Sequence, residues 1–81
     1  MFDDKGEVKR LVEHLVQERD PDIGIERLRK MDFSYIISLY KRGRFREIEL
    51  SRTEIDESWD WRSGKIDESL QEKVEKTVAD F

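Results

Sequence analysis

The sequence predicts a small, mainly α domain of three or more helices, and three stretches carry that expectation. Val8, Leu11, Val12, Leu15 and Val16 recur at i, i+3, i+4, i+7 and i+8, the apolar stripe of an amphipathic helix. Phe33, Ile36, Ile37 and Tyr40 repeat the same spacing over two turns. Leu70, Val74, Thr77 or Val78, and Phe81 form a third apolar side behind Asp67, a residue suited to starting a helix. A short β-hairpin between residues 33 and 61 is the alternative, and it would make the domain α+β and winged-helix-like.

The first helix is expected from about Lys5 to Arg19, because Asp4 with Glu7 three positions on makes an acidic variant of the capping box. His14, the single histidine, falls nearly opposite the stripe and therefore in water. Asp20 before Pro21 ends that helix, since proline pushes its predecessor out of the helical region and suits a first helical position. A short second helix then runs to about Lys30 with Ile25, Leu28 and Met31 inward, and Gly24 weakens it by about 1 kcal/mol relative to alanine.

Residues 33 to 42 read in two ways. As a helix they have Asp32 as a cap, Lys41 and Arg42 at the negative end of the dipole, and Gly43 as the left-handed residue beyond. As a strand, Tyr35, Ile37 and Leu39 alternate with Ser34, Ile36, Ser38 and Tyr40, and KRGR becomes a turn. The end signals favour the helix. Further on, Ser51 with Glu54 is a capping box that starts a helix near Arg52, although REIELS alternates as a strand would. Trp59 and Trp61, two apart, share one face of a strand but point nearly oppositely from a helix. Gly64 breaks the chain before the last helix.

At 81 residues and 9.8 kDa the chain is expected to be one domain, residues 1–81. With 36% hydrophobic and 44% charged residues its apolar supply is thin, and a homodimer is the simplest supplement. The lack of cysteine excludes disulfides, thiolate metal sites and thiol nucleophiles. MFDDKGEVKR has acids and no apolar run, so no targeting peptide, no membrane span and a cytoplasmic location are expected. Asparagine is absent and Gln17 and Gln71 are the only glutamines, a bias common in proteins from hot environments.

The net charge of −4 conceals a basic island. Residues 1–25 carry net −3, residues 26–46 net +5 and residues 47–81 net −6. If residues 21–30 and 33–42 were paired helices, the second would present Tyr35, Lys41 and Arg42, with Arg44 and Arg46 following, to phosphates and base edges. That is a helix-turn-helix or winged-helix nucleic-acid binder. The competing expectation is that the island at residues 27–46 faces the acidic final third, within one chain or across a dimer.

Other chemistry is sparse. Asp56, Glu57 and Asp60 could share a hard cation, but a solvated acidic face is the better reading. DPDIGIE lacks the length and glycine placement of a calcium loop, and RSGK lacks the earlier glycine of a phosphate loop. Without a triad or a metal cluster, neither an enzyme, a cofactor nor a metal is expected. The expectation is thus a non-enzymatic interaction or regulatory protein that binds a protein partner and self-associates, with Trp59 and Trp61 as binding aromatics. Nucleic-acid binding through Tyr35, Lys41, Arg42, Arg44 and Arg46 is the alternative.

Overall fold

The computed structural model describes residues 4–81. The elements run α1 (Asp4–Arg19), β1 (Gly24–Lys30), β2 (Ser34–Lys41), β3 (Arg44–Ser51), α2 (Arg52–Glu57), a 3-10 turn (Trp61–Ser63) and α3 (Glu68–Ala79). The chain is therefore α+β, three helices with a three-stranded antiparallel sheet, and not the mainly α domain the spacing predicts. The second and third expected helices are strands, so neither the helix-turn-helix pair nor a winged helix forms.

The sheet is a meander in the order β1-β2-β3. Its inner side is the odd-numbered set of β2, Tyr35, Ile37 and Leu39, flanked by Ile48 and Leu50 of β3, all at most 3% exposed. Ile25 and Leu28 of β1 face the same way although they stand three positions apart. A bulge between Ile25 and Arg27 inserts one extra residue and restores the alternation beyond it.

The α1 stripe lies where the sequence puts it, with Val8, Leu11, Val12, Leu15 and Val16 buried on the sheet. Each such side chain contributes about 1.5–3 kcal/mol by leaving water. The Asp4 side chain of the expected capping box lies outside the described residues. α3 packs beside α1 over β3 through Leu70 and Val74, and Arg19 pairs with Glu75 between the two helices. Asp67 accepts from the Leu70 amide at 3.1 Å and so caps α3 as predicted.

The Ser51–Glu54 capping box also forms: the Glu54 amide donates to the Ser51 hydroxyl at 3.1 Å and the Ser51 amide donates to Glu54 at 2.8 Å. Buried Ser58 accepts from the Asp67 amide at 3.0 Å, tying the end of α2 to the start of α3.

YKRGRF is a hairpin turn and not a helix end. Arg42 at φ 49° and Gly43 at φ 81° give the two left-handed residues of a type I′ turn between Lys41 and its partner Arg44. Gly43→Val is expected to cost about 1–2 kcal/mol, whereas Arg42→Asn is expected to be neutral or stabilising, because asparagine tolerates this region. Urea titrations of both variants measure this, and an equal loss from each would contradict the turn.

Candidate docking face

Both long helices lie on one side of the sheet, which leaves the other side without a covering element among the described residues. The even-numbered residues of β2 point there, and the register sets them in rows across the three strands. Gly24, Tyr40 and Phe45 make one row, then Arg27, Ser38 and Glu47, then Arg29, Ile36 and Glu49. Read down the strands, β1 offers two cations, β2 a mostly uncharged spine and β3 two carboxylates.

Contacts on this face follow the rows. The Tyr40 and Phe45 rings lie 6.4 Å apart, and both residues are largely exposed. Tyr40 leans over β1: a Cβ on Gly24 would come within 2.8 Å of its ring. Arg29 reaches diagonally across β2 to Glu47 at 3.0 Å. Ser38 donates to Glu47 at 3.4 Å and Ser34 to Glu49 at 3.0 Å. Arg27 has no acidic partner among the described residues, and the Glu49 carboxylate has a hydroxyl but no cation. Met31 and Phe33, at the β1–β2 turn, add two more exposed apolar side chains, Phe33 at 83%.

The residues expected to bind nucleic acid are dispersed. Tyr35 is 3% exposed in the core, since it belongs to the inner set of a strand and not to the outer side of a helix. Lys41 pairs with Asp20 and Arg42 with Asp22 at 3.5 Å. The hydrogen bond from Lys41 holds the Asp20 carboxyl below its ordinary value, and the Asp22 amide adds to this. Arg46 turns to the C-terminal end, meeting Asp80 at 3.1 Å and lying 5.7 Å from the Phe81 ring centre. Arg44 remains exposed, and with Lys41, Arg42 and Phe81 it lines an open cleft of about 350 Å³. The basic island thus meets acids from both flanks of its own chain.

The two tryptophans separate. Trp59 follows α2 and is 37% exposed, while Trp61 packs on the core in the 3-10 turn. Its ring sits 5.1 Å from His14 and 4.3 Å from the Arg62 guanidinium, and its buried Nε1 has no hydrogen-bond acceptor among the described residues. Arg62 in turn grips Glu7 of α1 through contacts of 2.8 and 3.0 Å. These contacts join the turn to α1. His14 is exposed as expected and pairs with Glu18 at 3.2 Å.

No group of three or more His, Cys, Asp or Glu side chains converges among the described residues, and no described helix is long and apolar enough to cross a membrane. Comparison with known protein families, curated proteins and solved structures finds no match to this chain. Tyr40, Phe45 and Ile36 are what reasoning from spacing missed as a surface. Their signal was present in the alternation of residues 34 to 41, where both the odd and even positions carry large apolar groups.

Proposed function

We propose that this is a non-enzymatic interaction protein that takes a protein partner on the outer face of its sheet. One observation carries this reading: a sheet face without a covering helix among the described residues keeps Tyr40 and Phe45 exposed and Ile36 half-buried, with Met31 and Phe33 at the rim. A cluster of exposed large apolar side chains is retained at a surface when something docks there. Arginines and tyrosine, both common in binding hot spots, lie among them.

The test is the map of amide shifts of ¹⁵N-labelled protein, followed from dilute to concentrated solution and after addition of cell extract. Signals of Ile36, Ser38, Tyr40 and Phe45 are expected to move while those on the outer sides of α1 and α3 stay. Movement confined to the helices would overturn the reading. Nucleic-acid binding, the alternative, now rests on the hairpin tip, where Arg42 and Arg44 project. Anisotropy of labelled RNA and DNA at about 50 and 200 mM salt decides it, since phosphate contacts weaken steeply over that range.

A further inference from the structure

Resting on that docking face, we infer that its occupant is a second copy of this chain, related by a two-fold axis parallel to β2. Such an axis lays β2 over β2 and places β1 of each copy over β3 of the other. The observation that selects it is the division of charge across the rows. Arg27 and Arg29 stand on one edge strand, Glu47 and Glu49 on the other, at matching levels. Rotation about β2 brings Arg27 over Glu47 and Arg29 over Glu49 twice, once on each side of the axis. A two-fold perpendicular to the strands would put arginine over arginine, and like charges at an interface are strongly disfavoured.

Three further features fit. Arg27 and the Glu49 carboxylate, two groups on this face without an opposite charge among the described residues, each gain one from the other copy. Tyr40 lies down over Gly24, so the row that carries the largest rings stays low enough for two sheets to approach. At the axis Ile36 meets Ile36 and the Tyr40 and Phe45 rings form a four-ring cluster, the apolar centre an isologous interface needs. Three strands about 4.8 Å apart, of 7, 8 and 8 residues at about 3.4 Å each, give a footprint of roughly 14 by 27 Å at most. At roughly 380 Å² per copy this is smaller than a standard interface, so the dimer is a weak, transient one that forms only in concentrated solution.

Light scattering from about 5 to 500 µM tests the inference, with the mass expected to rise from 9.8 kDa toward twice that value. Arg27→Glu with Arg29→Glu in one variant, and Glu47→Arg with Glu49→Arg in another, are each expected to weaken dimerisation roughly tenfold or more. An equimolar mixture of the two is expected to restore it. Should a double variant unfold by circular dichroism, Arg27→Glu alone carries the same test, because its side chain has no acidic partner among the described residues.

The possible failures are distinct. A wild-type protein that stays monomeric at 500 µM overturns the second copy as occupant and leaves the docking face to the amide-shift map. A dimer that survives Tyr40→Ser with Phe45→Ser overturns the face itself. A dimer lost in that variant but not restored by mixing overturns the two-fold arrangement alone.

Discussion

Replacing Ile37 by alanine is expected to destabilise the protein by about 3–4 kcal/mol and to lower its thermal midpoint by more than about 12 °C. Ile37 is the middle residue of the central strand, fully buried, with Leu28 across one ladder and Ile48 across the other. Removing three carbons there leaves a cavity walled by two strands and two helices, none of which can close on it alone. A chain of this length has roughly 4–12 kcal/mol in total, so the loss is a large share. Ile36→Ala, one residue away, is expected to cost less than about 1 kcal/mol, because that side chain faces out. Thermal melts of the two variants measure the difference directly. Similar losses from both would contradict the division of β2 into an inner and an outer face.

Glu54→Ala is the second large effect, expected to cost about 2–4 kcal/mol in urea titrations. The Glu54 side chain closes the capping box, accepts from the Ser69 hydroxyl at 2.6 Å and binds Lys73 at 2.8 Å. Lys73 also donates to the Glu49 main-chain carbonyl at 3.2 Å, so one carboxylate holds α2, α3 and the end of β3 together. Glu54→Gln keeps an acceptor for Ser51 and Ser69 but loses the charge, and about half the cost is expected. A loss below about 0.5 kcal/mol for alanine would mean that the network adds nothing beyond solvated side chains.

The same group sets the response to acid. Burial pushes the Glu54 carboxyl up, but the hydrogen bonds from Lys73, Ser69 and the Ser51 amide outweigh it and hold it at about 2, against an ordinary 4.5. Arg62 beside Glu7 likewise holds that carboxyl at about 2. A carboxyl more acidic in the folded than in the unfolded chain adds stability that is complete above about pH 4.5 and drains as pH falls toward 2. Unfolding midpoints in urea are therefore expected to hold from pH 7 to 5 and to fall below 4.5, with a shallower fall in Glu54→Gln.

The errors in reading the sequence cluster at residues 24 to 42 and have one physical origin. Ile25 and Leu28 stand three apart because a bulge adds a residue to β1, and a bulged strand then shows the i, i+3 spacing of a helix. Phe33, Ile36, Ile37 and Tyr40 look like a helical stripe because the outer face of β2 and its entry turn carry apolar side chains of their own. Only Ile37 of that set belongs to the core. Apolar residues placed at a surface imitate a second buried period, and local propensity conflicts with the fold where a surface has another task.

By itself the sequence determined what short-range physics decides. The α1 stripe, the Ser51–Glu54 box and the Asp67 cap each depend on residues within four positions of one another, and each stands in the structure. Only the tertiary structure decided that residues 34 to 41 are a strand, because their backbone groups are satisfied by ladders to residues 24–30 and 44–51 and not by their own neighbours. The candidate face is likewise tertiary. Arg27, Ile36 and Glu49 are scattered along the chain, and pairing three strands while both long helices settle on one side is what sets them in rows on the other.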